Sequence, residues 1–170
     1  MTNLLSTVVL AVFVYMVAAF VLAQALRNNG LVDVAWGLGF IVVTAALFVR
    51  RSILYPAKAL VAALVLLWGL RLAIHIFRRN WGRPEDFRYA AMRRKWGRSA
   101  AVRAFFSVFM LQGLLMIVVS LPLTVVFASP ARPLAVLDVV GALVFAAGFL
   151  FEVIGDAQLA AHRRDPANRG

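Results

Sequence analysis

Trp68, Arg71, His75 and Arg79 recur at intervals of three and four residues in WGLRLAIHIFRRNWGR, so a helix of 3.6 residues per turn sets them on one face. The other face is Leu and Ala. An arginine inside a hydrophobic span costs ~2.5–3.5 kcal/mol on insertion scales, so Arg71 either faces protein or a water-filled cavity, or snorkels toward the interface. The stripe of four favours a polar groove. A second set closes the chain in GFLFEVIGDAQLAAHRRDPANRG, where Glu152 and Asp156 are four residues apart and Arg163 follows seven later, again on one helical face. Two neighbouring acids repel, and burial disfavours charge, so one takes a proton or a basic partner balances both. Arg71, His75 and Arg79 lie at compatible depth. Two readings stand: an intramembrane salt bridge that orients helices, or a ligand site in which Asp156 holds a nucleotide ribose and Arg163, with its planar fork of donors, a phosphate.

A third set opens NNGLVDVAWGLGF, with Asp33 and Trp36 in the first turns of a span. A carboxylate near a helix start is stabilised by the macrodipole, and the same placement suits a polar contact to substrate. Gly37 and Gly39 permit close helix approach and equally leave room for a flat ligand.

These side chains need membrane helices to carry them. Of 170 residues, 64% are hydrophobic, and the mean hydropathy is +0.89, which makes this an integral membrane protein. The spacing of apolar runs predicts five spans, at about 4–26, 31–49, 55–77, 102–127 and 134–160. The third begins at Ile53 or Ala57, after a short connection holding Arg50, Arg51, Tyr55 and Lys58. Asn28-Asn29-Gly30 marks a turn between the first two. Residues 78–101 read as a loop with an interfacial pattern, Trp81, Tyr89 and Trp96 being interleaved with a basic cluster of Arg93, Arg94, Lys95 and Arg98. Gln112 reads as helix–helix glue, and Pro122 falls near the end of the fourth span.

The net charge of +11 does not point to nucleic acid, because the basic residues sit in loops beside apolar spans, where positive-inside bias and anionic headgroups account for them. With an outside N-terminus, Arg27, nine residues from Arg78 to Arg103 and three after the fifth span place 13 Lys and Arg inside, against 4 outside. The bias predicts a cytoplasmic C-terminus. Ala- and Arg-rich usage without a targeting extension suggests a bacterial inner membrane. There is no cysteine, so thiolate zinc sites, iron–sulfur clusters and disulfides are excluded, and two histidines argue against a metal site.

Taken together, LVDVAWGLGF, LWGLRLAIHIFRRNWGRPEDFRY and GFLFEVIGDAQLAAHRRDPANRG resemble the steroid 5-alpha-reductase-like family, in particular its bacterial branch of unknown function. The resemblance runs over nearly the whole chain, in the same order. It implies an all-α bundle of seven membrane helices that uses NADPH to reduce a carbon–carbon double bond conjugated to a ketone in a lipophilic substrate. By motif position it assigns Glu152, Asp156 and Arg163 to the cofactor and Asp33, His75 and Arg79 to catalysis; beside them, Trp36 and Arg71 are the candidate substrate contacts. Steroid-reducing members present a tyrosine just after the histidine, where this chain has Ile76, so the carbonyl donor is expected elsewhere or the substrate is not a steroid. Such proteins also continue beyond the DPANRG-like segment into two further spans, so the chain to Gly170 is expected to be the five-span front of a longer enzyme, poorly stable and inactive alone. Two other classes compete: a membrane methyltransferase of the isoprenylcysteine carboxyl methyltransferase type, which binds S-adenosylmethionine, and a small non-enzymatic scaffold or transporter subunit whose stripes only pair helices.

Overall fold

The computed structural model describes residues 2–51 and 55–165. The expected start of the third span at Ile53, and Arg169 in the charge count, lie outside the described residues. The chain divides into two compact units, Met1–Arg132 and Pro133–Gly170. All regular structure among the described residues is helical, and five stretches are long and apolar enough to cross a membrane.

In the first unit, α1 (Thr2–Ala25), α2 (Leu31–Arg50) and α3 (Pro56–Asn80) are the first three spans. Both connections at the start of α2 follow local chemistry. Arg27 takes a left-handed conformation (φ 51), which lets the Asn28 N–H reach back to the Ala23 carbonyl at 2.9 Å. The Asn28 side chain then accepts from the Gly30 N–H at 3.0 Å, the turn that Asn-Asn-Gly predicts. Pro56 opens α3, where its missing N–H costs nothing.

Residues 78–101 differ from the expected loop. They contain a ten-residue helix, α4 (Phe87–Trp96), whose start is capped by Asp86 accepting from the Arg88 N–H at 3.0 Å. Gly97, with φ 52, ends it in a conformation that favours glycine. A 3₁₀ turn (Gly97–Ser99) leads into the fourth span, which is not one regular helix either. It runs as α5 (Ala100–Ala104), a π-helical turn (Phe105–Met110), α6 (Leu111–Val119) and α7 (Leu121–Ala128). The break at Ser120 has a cause in Pro122, which offers no N–H to the Val118 carbonyl and whose ring crowds that turn.

Packing is decided by small side chains. A Cβ on Gly37 would lie 2.6 Å from the Gly69 carbonyl oxygen, and one on Gly69 would lie 2.6 Å from that of Gly37. The backbones of α2 and α3 therefore touch. Gly39 receives the buried thioether of Met116, and Gly113 meets Met16. Around these contacts α1 buries Leu4, Val8, Val12 and Met16 against Phe40, Val43 and Leu47 of α2 and Phe127 of α7. Polar groups in the spans are tied to backbone: Tyr15 Oη donates to the Ala35 carbonyl at 2.8 Å, and Tyr55 Oη to those of Val126 and Ser129, both at 3.0 Å. Lys58, expected in a connecting segment, lies in the first turns of α3 and is only 3% exposed. Its ammonium sits 4.5 Å from the Tyr55 ring centroid and 5.5 Å from that of Phe127, so ring faces substitute for part of its hydration.

The second unit is built on one continuous helix, α8 (Val136–Arg164), which starts and ends a little later and longer than the expected 134–160. The Asp138 carboxylate accepts from the Ala135 N–H at 2.8 Å and fixes its first turn.

Candidate functional site

The polar groups of the first unit fall into two constellations. The first is at the end of the bundle where α1 finishes and α2 begins, and it was only partly visible as sequence. Asp33, in the first turn of α2, accepts from Tyr89 Oη at 2.7 Å and from Arg88 at 3.2 Å. Arg88 also spans Asp86, at 3.0 Å from its Nε. Beside this pair, Glu85 accepts two bonds from Arg93, at 3.0 and 2.8 Å, and one from the Asn29 N–H at 2.7 Å. Asn29 is itself buried, and its side-chain oxygen accepts from Gln24 at 2.8 Å. The ends of α1 and α2 are thereby bolted to α4.

The charges in this knot sustain one another. Burial works against an ionised Glu85, but the Arg93 hydrogen bonds, the Asn29 amide and the Arg93 charge outweigh it and hold the carboxyl below its usual value. Hydrogen bonding by the Arg88 side chain does the same for Asp86 against a smaller burial cost, with the Arg88 amide, the Arg88 charge and Arg79 adding to it. Both acids stay ionised near neutral pH.

The second constellation is the stripe on α3. Arg71 and His75 are half-buried there, and Arg79 is exposed near the helix end, its Nε donating to Asn80 at 3.3 Å. Counting rotation along the helix, the stripe lies ~120° around from Gly69 and Ala73, the residues that meet α2. Trp68, at its upper end, reaches the edge of α2: its ring is 5.5 Å from Phe40, which in turn stands 5.4 Å from Trp36, both edge-to-face. The structure thus brings Trp36, Phe40 and Trp68 into one aromatic row, with Arg71 one turn below. It engages Asp33 with Tyr89 and Arg88 instead.

On α8, Asp138, Phe145, Phe149, Glu152, Asp156 and Arg163 fall within a stripe ~60° wide. The Phe145 and Phe149 rings stack at 5.8 Å. Among the described residues no group of three or more His, Asp or Glu gathers as a metal site would require.

The model of a family described as a protein of unknown function, DUF1295, matches residues 19–170. The chain belongs to this family. No curated protein and no solved structure matches it. The DUF1295 match takes in Asp33, Trp36, the α3 stripe, the carboxylate knot and α8 through Arg163, and leaves out most of α1. Of the residues that position this end of the molecule, Glu85, Arg88, Arg93, Asn29 and Gln24 carried no sequence signal that named their partners. Tyr89 read only as an interfacial aromatic.

Proposed function

We propose that this DUF1295 chain carries cofactor- and substrate-contacting helices of a membrane-embedded, NADPH-dependent reductase of a lipophilic conjugated ketone, with its basic end in the cytoplasm. The observation that carries this reading is the placing of Glu152, Asp156 and Arg163 on one stripe of a single apolar helix. Ionisable groups at such depth mark sites more often than they serve packing alone. The resemblance of three segments to the steroid 5-alpha-reductase-like family, in order, supports the same assignment.

The α8 stripe fits a dinucleotide by the chemistry of its donors and acceptors. Glu152 and Asp156 accept from ribose hydroxyls, and Arg163 donates in a fork to phosphate. NADPH supplies the hydride that adds to the β carbon of the substrate. The protein's own part is to bind a flat apolar molecule against Trp36 and Arg71, to keep water from it, and to present His75 and Arg79 as donors where negative charge develops on the carbonyl oxygen. Asp33 serves in this reading as an acid whose orientation Tyr89 and Arg88 maintain.

The experiment is a binding titration in lipid nanodiscs on the full product of the open reading frame that encodes this chain, with NADPH and S-adenosylmethionine compared on wild type and on Asp156→Ala and Arg163→Ala. The reductase reading expects NADPH binding that both variants weaken. Binding of S-adenosylmethionine without NADPH overturns it in favour of a methyltransferase. Binding of neither, with variants that alter only melting, leaves a scaffold.

A further inference from the structure

The carboxylate knot uses up the acids at its end of the first unit. Asp33, Glu85 and Asp86 are all engaged by Arg88 and Arg93, while Arg78, Arg83, Arg94, Lys95, Arg98 and Arg103 are exposed and, among the described residues, in no ion pair. The knot also decides which way α4 faces. Tyr89 and Arg93 are drawn inward, so Ala91, Arg94 and Lys95, on the opposite side of the helix, face outward. Trp81, the residue after α3, and Phe87, the first of α4, are 73% and 78% exposed.

We propose that α4 and the turns flanking it form a docking platform for the headgroups of anionic phospholipids, with Trp81 and Phe87 set into the headgroup–acyl boundary. The platform is independent of the reductase reading. Charge complementarity selects the occupant. Six exposed cations with no ion pair among the described residues lie in or beside helices long and apolar enough to cross a membrane, and each acid of the knot is already engaged, so phosphodiester headgroups in the adjoining leaflet supply the missing anions. Arginine forks hold such phosphates in two-point geometry. Exposed aromatic rings among cations are what an interfacial helix presents to a bilayer. The Arg88–Asp33 and Arg93–Glu85 bridges have the complementary role of keeping α4 from rotating its basic face away.

The test is native mass spectrometry of protein released from neutral detergent, titrated with phosphatidylglycerol or with phosphatidylcholine of the same acyl chains. Wild type is expected to retain phosphatidylglycerol preferentially. The R94Q/K95Q/R98Q variant is expected to bind it roughly 100-fold more weakly at low salt, at about one factor of five per cation, with phosphatidylcholine unchanged. The R50Q/R51Q variant, changed at the opposite end, keeps the wild-type preference. In about 1 M salt, where the Debye length is about 3 Å, the wild-type preference falls. Equal retention of the two lipids by wild type overturns the proposal, and this comparison needs no variant to fold. A triple variant of native helicity with undiminished preference overturns it too.

Discussion

Tyr89 Oη donates to Asp33 Oδ1 at 2.7 Å across 56 residues of chain, and this bond joins α4 to the first turn of α2. The Tyr89 ring is buried among Ala19, Ala23, Val32, Val108 and Phe109, so packing holds the phenol against this carboxylate. Replacing it with Tyr89→Phe leaves the ring packed and removes a hydrogen bond to a charged acceptor, which costs about 1.5–3 kcal/mol. Arg88→Gln breaks a longer and more exposed contact with the same carboxylate and costs less, under about 1 kcal/mol. Thermal melting in detergent should rank Tyr89→Phe as the more damaging change. The reverse order would show that the ion pair, and not the phenol, ties α4 down.

The crossing of α2 and α3 allows no Cβ. Gly37→Ala and Gly69→Ala each force a methyl against a backbone oxygen at 2.6 Å, and backbone cannot swing aside as a side chain would. Each change is expected to cost about 1–3 kcal/mol. Gly148→Ala, on α8, meets nothing within 4 Å and should leave the melting temperature unchanged or raised. A Gly37→Ala protein that melts like wild type would refute the close crossing.

The Glu85 carboxyl is held below its ordinary value of 4.5 in the folded protein. A depressed folded value means that the stability it contributes is present above 4.5 and is lost as the pH falls through the lower, folded value. Melting temperature should be flat toward neutrality on this account and decline in acid below about 4.5. Arg93→Gln removes the main cause of the depression, so its acid decline should be shallower than wild type. An identical pH profile in wild type and Arg93→Gln would show that Glu85 and Arg93 are not coupled.

Within α8 the cofactor assignment distinguishes two neighbouring arginines. Arg163 lies on the stripe with Glu152 and Asp156, whereas Arg164 is a further ~100° around the helix. Both are in the last turn and share any effect of the helix dipole. Arg163→Gln should raise the NADPH dissociation constant by about tenfold or more, the size of one charge-assisted hydrogen bond. Arg164→Gln should leave it within about twofold of wild type. Equal losses in the two variants would mean that general positive charge, not a directed contact, attracts the cofactor.

How much could be read beforehand varied along the chain. The five spans were legible because a bilayer core demands a long apolar run wherever the chain crosses it. The turn at Asn28-Asn29-Gly30 was legible because its asparagine side chain completes its own local bond. The α3 stripe was legible because Arg71 and His75 stand out against Leu and Ala. Helix α4 was not, because the partners of its two inward residues lie outside the helix: Tyr89 packs among α1, α2 and Phe109 and reaches Asp33, and Arg93 reaches Glu85. The break at Ser120 had its signal in Pro122. The π-helical turn before it had none that was recognised.

Sequence by itself determined that this is an all-helical protein with five stretches long and apolar enough to cross a membrane, and which few residues carry charge into them. Tertiary structure decided which faces meet. In water, burial selects the apolar face of a helix and periodicity announces it. In a membrane protein such as this, the exposed Leu5, Val9 and Phe13 are as apolar as the buried Leu4, Val8 and Val12 beside them, so no periodic signal separates the two. The choice falls to shape, to the room left by Gly37, Gly39 and Gly69, and to polar groups such as Asp33 and Tyr89 whose partners lie 56 residues away.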